Sequence, residues 1–270
     1  MSMTLGVLGS GSSGNSFVVR AGSTTIAIDA GFSGREQDRR LRAIAIEPES
    51  LEAVLLTHEH TDHSSGCRVW CDKWDIPLYA SCGTSSFLQS RKQHPKQLIS
   101  FENDRTFEIG DILISPFSVP HDACDPVGFT LHYRDCKIGI ATDLGELSES
   151  AAGNLYDCDG LIIECNYENS MLRDSLRHER LKRRIAGRHG HLELTESAKA
   201  LEQLVTPRTR LVLYSHISSE CNSPVLAEDS GRQQLKAMGR EDITFAVIPQ
   251  HQVLGKFIFG EEKVDFIEPL

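Results

Sequence analysis

The chain has 270 residues, of which 40% are hydrophobic and 24% charged, with a formal net charge of -10; this suffices for one sizeable core, and a single domain over 1–270 is expected. The acidic balance excludes a protein that coats nucleic acid through a generally basic surface, because such binding rests on many Lys and Arg contacts to phosphate. No apolar run approaches the roughly 18 to 20 residues of a membrane span, and "MSMTLGVLGS" lacks the charged and apolar stretches of a secretory signal, so a soluble cytoplasmic protein without a membrane partner is expected.

The first strand, "TLGVL", runs into "LGSGSSGNS", where Gly9, Gly11 and Gly14 spell a literal G-x-G-x-x-G. A dinucleotide fingerprint needs a helix directly after the glycines, so that a pyrophosphate can sit on its N-terminus. Here "SFVVRAGSTTIAIDAG" follows, two β-rich runs split by "AGS", which predicts a hairpin instead. The glycines are then expected to shape a tight loop between the first two strands, from which backbone amides and Ser12, Ser13, Asn15 or Ser16 approach the site, with Ser13 and Asn15 as the substrate-binding candidates.

Further strands are predicted at "AVLLTH", "PLYA", "DILISPFSV", "VGFTLHY" and "KIGIAT", then at "DGLIIEC", "RLVLYSH" and "ITFAVI". "LTESAKALEQLV" places Leu194, Ala198, Leu201 and Val205 at helical spacing, with Thr195 expected as N-cap. The C-terminal "HQVLGKFIFGEEKVDFIEPL" reads as more strand. Many strands early, then strands and helices mixed, predict an α/β protein with packed sheets and outer helices.

The eight cysteines show no C-x-x-C pair, which points to reduced thiols. Cys67 and Cys71 form a C-x-x-x-C, but no second pair follows at zinc-finger spacing. Between Leu172 and His191, Arg173, Arg177, Arg180, Lys182, Arg183, Arg184 and Arg188 face only Asp174 and Glu179, a local basic island in an acidic chain.

The strongest chemistry lies in "LLTHEHTDHSSG", where an apolar strand runs out into His58, His60, Asp62 and His63. H-x-H-x-D-H after a buried strand offers side chains that diverge toward two adjacent ions. These residues resemble the T-H-x-H-x-D-H motif of the metallo-β-lactamase superfamily. The other superfamily motifs match Asp29 in "IAIDAG", His121 in "FSVPHDACDPVGF", Asp143 in "GIATDLG" and His216 in "LYSHIS".

The resemblance implies a four-layer αββα sandwich binding two divalent ions, Zn²⁺ or Mn²⁺. In it His58, His60 and His121 hold one metal, Asp62, His63 and His216 the other, Asp143 bridges both, and Asp29 stands behind the ligands. A water between the ions would lose its proton near neutral pH and act as nucleophile. His60, where flavodiiron relatives carry Glu, argues against redox chemistry, and the missing signal peptide against a secreted lactamase.

Along nearly the whole chain the motifs are most similar to the YycJ/WalJ-type exonuclease group. They are "GSGSSGN", "HDACDPVGF" from His121 to Phe129, Leu181 to Leu192, and "HISSECNSP" from His216 to Pro224. Two departures stand out: Asn166, Tyr167 and Glu168 replace the group's "NHD", and Cys221 replaces the first Asn of its "NNxP". In this phosphodiesterase branch, which includes RNase Z and PhnP-like enzymes, Glu164 and His191 are catalytic candidates alongside Asp62. His191 is expected at the start of a helix, donating a proton to the leaving oxygen or binding the scissile phosphate. The basic island, with Arg183 and Arg184, is expected to hold flanking phosphates. A metal-dependent phosphodiesterase, foremost a DNA exonuclease, is the expected function. RNA or small cyclic phosphodiesters are the alternative substrates, and a metal-bound nucleic-acid-binding module is the non-enzyme alternative.

Overall fold

The computed structural model describes residues 2–270. One sheet holds β1 (Met3–Gly9), β2 (Ser16–Ala21), β3 (Thr24–Ile28), β4 (Ala53–Leu55), β5 (Leu78–Ser81) and β6 (Leu98–Phe101). The other is built from β7 (Phe107–Ile109), β8 (Ile112–Ser118), β9 (Val127–Tyr133), β10 (Cys136–Ala141), β11 (Gly160–Glu164), β12 (Leu211–Ser215) and β13 (Thr244–Val247). The chain then returns through β14 (Gly255–Phe259) and β15 (Val264–Ile267) to the free edge of β1, giving the order β15-β14-β1-β2-β3-β4-β5-β6 against β13-β12-β11-β10-β9-β8-β7. Both sheets are mixed: β1 to β3 and β7 to β10 are antiparallel, whereas β3 to β6 and β10 to β13 are parallel.

The period of two along the strands sorts side chains into two cores. Phe17 and Val19 of β2, Ile26 and Ile28 of β3, and Ala53 and Leu55 of β4 point between the sheets, where they meet Ile114, Phe129 and Ile140. Val18, Ala27 and Val54 point the other way, under the helices α1 (Gly34–Ala43), α3 (Cys67–Trp74) and α4 (Cys82–Arg91), the short α2 (Thr61–Ser64) preceding α3. On the outer face of the second sheet Leu161, Ile163, Val212 and Tyr214 pack under α5 (Glu149–Leu155), α8 (Leu194–Leu204) and α9 (Pro224–Ala237). Two further helices, α6 (Asn169–Asp174) and α7 (Glu179–Ile185), carry the basic island and sit on a small cluster of Tyr167, Leu172, Ile185 and Cys221. The layers run α/β/β/α.

The hairpin expected after the glycines is present, as β2 pairs antiparallel with β3 from Phe17–Ile28 to Ala21–Thr24. The N-cap of α8 is Glu193 rather than Thr195: its carboxylate accepts from the amides of Thr195 and Glu196, so the helix begins one residue before the threonine. Cys67 and Cys71 are buried against the core on α3 and belong to none of the clusters of metal-ligating groups among the described residues. No helix among the described residues is long and apolar enough to cross a membrane.

Candidate metal centre

Each candidate ligand stands where a strand runs out. Asp29 follows β3, His58 lies just beyond β4, and Asp62 and His63 ride on α2. His121 lies beyond β8, Asp143 beyond β10, Glu164 ends β11 and His216 follows β12. Carboxyl ends of parallel strands are the usual place for a site in an α/β sheet, because the connections there diverge and leave a crevice. Asp29 (φ 59°) and His216 (φ 54°) adopt left-handed backbone, a strained conformation for L-residues that concentrates at functional sites.

The ligating atoms of His58, His60 and His121 lie within 4.8 Å of one another, as do those of Asp62, His63 and His216. Asp143 joins the two groups through His58 and His63. Among the described residues the buried His58 Nε2 has no hydrogen-bond partner, and the buried Asp143 Oδ2 is faced only by His63 Nε2 at 3.1 Å. Leaving such groups bare costs about 1–3 kcal/mol each, and a cation among them removes that cost. The donor set of imidazole nitrogens and carboxylate oxygens therefore fits divalent metal ions.

The far nitrogens of the rings are tied down. His63 Nδ1 donates to the Asp29 carboxylate at 2.7 Å, and Asp29 also accepts from the Thr57 amide and hydroxyl at 2.8 and 3.0 Å. His121 Nδ1 donates to the Gly190 carbonyl at 2.9 Å. His216 Nδ1 lies 2.9 Å from Glu164 Oε1 and 3.0 Å from Asp143 Oδ1. Such outer bonds select the tautomer and aim the other nitrogen inward.

Burial pulls the His58 imidazole well below its ordinary pKa and lowers His121 as well, so these rings are held neutral. Burial acts on His63 and His216 in the same direction, but the carboxylates around them, Asp143 foremost, push both well above the imidazole range. Asp143 stays well below the carboxylate range despite its burial because His216 and His63 face it. The cluster demands positive charge among Asp29, Asp62, Asp143 and Glu164.

Glu164 is fully buried and outside the cavity lining. Its Oε1 is shared between His191 Nδ1 at 2.7 Å and His216 Nδ1, while Oε2 accepts from the amides of Leu144 and Leu192 at 2.8 and 3.0 Å. It therefore positions histidines without meeting substrate. His191 sits in the connection ahead of α8 rather than at a helix start, because Glu193 caps that helix. Its Nδ1 is committed to Glu164, which leaves Nε2 for the cavity.

That cavity, about 700 Å³, counts His60, Asp62, Asp143, His191 and His216 among its lining residues. The substrate-binding expectations fare unevenly. Asn15 is fully buried: its carbonyl oxygen accepts from Ser10 Oγ and the Gly11 amide, and its Nδ2 lies 2.9 Å from His63 Nε2 and 3.3 Å from Asp62 Oδ2. It cannot face a substrate; it holds the α2 loop. Ser13 accepts from Gln250 Nε2 at 2.6 Å outside the lining, where Ser12 stands in its place. Arg184 lines the cavity but is paired with Asp122, and Arg183 is exposed on α7 outside the lining.

The sequence reading missed Ser10, whose hydroxyl accepts from the His216 amide at 2.9 Å, Thr57, and the Gly190 carbonyl. It also missed Gly31. The Asn15 amide donates to the Asp62 carbonyl at 2.8 Å and the Gly31 amide to the Asn15 carbonyl at 3.1 Å. A methyl group on Gly31 would lie 1.7 Å from the Asp62 carbonyl oxygen. The "GSGSSGN" pattern was the available signal for this loop, but it did not distinguish support of ligands from contact with substrate.

Gly31→Ala is expected to displace Asp62 and His63 and lower both thermal stability and bound metal, measured by calorimetry and elemental analysis; a protein with parental metal content would contradict the packing. Asp29→Asn removes the carboxylate that orients His63 and should weaken metal affinity about 10- to 100-fold, read by competition with a chromogenic chelator, with an unchanged affinity as the contrary result.

Comparison with known proteins agrees with this architecture. Residues 24–217 match the family described as "Beta-lactamase superfamily domain". The exodeoxyribonuclease WalJ of Streptococcus pneumoniae serotype 2 (strain D39) is 36% identical over 233 residues, covering 85% of this chain and 87% of the relative. The exodeoxyribonuclease YycJ of Bacillus anthracis is 30% identical, covering 88% of this chain and 91% of the relative. Among solved structures, the metallo-β-lactamase fold protein YhfI of Bacillus subtilis superposes with a TM-score of 0.72 at 16% identity, over 96% of this chain and 99% of that one. The chain belongs to the β-lactamase superfamily domain family and has the metallo-β-lactamase fold.

Proposed function

We propose that the chain is a dinuclear metal-dependent phosphodiesterase that acts on DNA as an exonuclease, working as one unit over residues 1–270. Membership of the superfamily and the likeness to two exodeoxyribonucleases over most of both chains support the nuclease class. The observation that carries the reading is the Glu164–His191 pair at the wall of the histidine and aspartate cluster. The eight free cysteines suit a reducing compartment, in keeping with the cytoplasm.

His58, His60 and His121 would hold one Zn²⁺ or Mn²⁺, Asp62, His63 and His216 the other, and Asp143 both. When bound, such ions lower the pKa of a coordinated water toward about 7 and offset charge on the attacked phosphate. The chain's own groups do the rest. Asp62, whose carboxylate reaches the cavity, accepts the proton of the attacking water. His191 Nε2 hands a proton to the leaving oxygen, while Glu164 fixes the ring through its Nδ1. At the rim Arg184 exchanges Asp122 for a substrate phosphate, and Arg183 adds charge nearby.

The test is a panel of end-labelled DNA, RNA, an aryl phosphodiester, a chromogenic β-lactam and a glutathione thioester, each with Mn²⁺ and with Zn²⁺. Stepwise release of terminal nucleotides from DNA is the expected result. Preference for RNA or the aryl ester would move the substrate, and lactam or thioester cleavage alone would overturn the reading. His191→Ala should retain its metal while kcat on DNA falls about 10²- to 10⁴-fold; an undiminished kcat removes its role.

A further inference from the structure

The basic island is less available to a polyanion than its composition suggests. Arg173 pairs with Asp174, Arg177 with Glu220, Lys182 with Glu179, Arg184 with Asp122 and Arg188 with Glu146. Of the three arginines that line the cavity, Arg177 and Arg184 are therefore already opposed by carboxylates. The third, Arg91, has no hydrogen bond or ion pair among the described residues, and it comes from a different element, the last turn of α4. Its guanidinium lies 5.6 Å from the centroid of the Phe87 ring, one turn earlier on the same helix. Phe87 also lines the cavity; it is half-buried, packed on one side against the outer core of the first sheet.

We infer that Phe87 and Arg91 form a docking wall for one unpaired nucleotide beside the scissile phosphate, Phe87 taking the base on its ring and Arg91 the phosphate. This rests on the phosphodiesterase reading above and adds the form of the substrate it grips: a single-stranded end. The physical grounds are threefold. An aromatic face with a neighbouring arginine is the combination that binds single strands without reading sequence, because every base has a π-face. An uncommitted guanidinium binds phosphate without first breaking an ion pair, which gives Arg91 an advantage over Arg177 and Arg184. The core behind Phe87 holds its ring in place, so little side-chain entropy is lost when a base stacks on it. The cavity, about 700 Å³, falls in the roughly 300–1,000 Å³ range of pockets that enclose a ligand of nucleotide size.

The experiment uses the metal-loaded full chain and oligodeoxynucleotides carrying a single abasic residue at each of the terminal positions in turn. At one position the missing base should raise KM of the parent on the order of tenfold. In Phe87→Leu, which keeps the apolar packing, the intact and abasic oligonucleotides should have the same KM. Phe87→Trp should restore the difference. Arg91→Gln should make the salt dependence of KM shallower by about 0.7 in the log–log slope, the share of one phosphate contact in a single strand, whereas Arg91→Lys should keep it. KM values indifferent to every abasic position, or an abasic effect that persists undiminished in Phe87→Leu, would overturn the docking wall alone. Failure of the parent to hydrolyse any oligonucleotide would overturn the nuclease reading and this inference with it.

Discussion

The structure depends on gathering carboxylates in a place that water hardly reaches. Asp29 and Glu164 are fully buried, Asp143 is 5% exposed, and Asp62 lies beside them on α2. Leaving one such charge uncompensated costs several kcal/mol, comparable to the whole margin of stability of an ordinary domain. The fold answers with His58, His121 and His216 beyond strand ends, His63 on α2 and His191 ahead of α8, and it leaves polar atoms of His58 and Asp143 placed where a cation fits. Behind them stands a layer of groups that hold the histidines at fixed angles: Asp29 with Thr57, Glu164, and the Gly190 carbonyl. The glycine loop after β1 is part of this layer, since Ser10 ties His216 to Asn15 and Asn15 ties the α2 loop to both.

The same demand for positive charge organises the cleft. A chain of formal net charge -10 repels a polyanion at long range, so attraction must be concentrated where the substrate reacts. On and between α6 and α7, Arg173, Arg177, Lys182 and Arg184 are matched to acidic neighbours, so a phosphate must compete for the two arginines of that wall that line the cavity, Arg177 and Arg184. The lining from α4 offers one arginine without an ion pair and an aromatic ring. The two walls differ in kind: one exchanges partners, the other stands open.

Much of this was legible before folding was considered. The sheets could be read because their strands are short runs of β-branched and aromatic residues bounded by Gly, Asp and Pro, and the His58–His63 cluster because it follows such a run, whereas Asp29, His121, Asp143 and His216 stood out only through the resemblance to the metallo-β-lactamase motifs. The supports were illegible for two physical reasons. Some are backbone groups, such as the Gly190 carbonyl, whose role depends on direction and leaves no trace in residue type. Others act across long separations, as Asn15 does on Asp62 and His63. Helix α1 escaped the periodicity argument because the face it buries is largely polar, with Gln37, Asp38 and Arg40 beside Leu41; Asp38 accepts from Trp70, Trp74 and Lys73, so the helix docks through hydrogen bonds. Thr195 lost the cap of α8 to Glu193, whose carboxylate accepts from the amides of Thr195 and Glu196 and starts the helix at Leu194.

The measurement that bears most directly on the account is a metal titration of protein stripped with a strong chelator, following metal content and nucleotide release from end-labelled DNA in parallel. The account predicts no hydrolysis by the stripped protein, recovery as Mn²⁺ or Zn²⁺ is restored, and no recovery in Asp143→Ala. Hydrolysis by the stripped protein, or full recovery in Asp143→Ala, would contradict it.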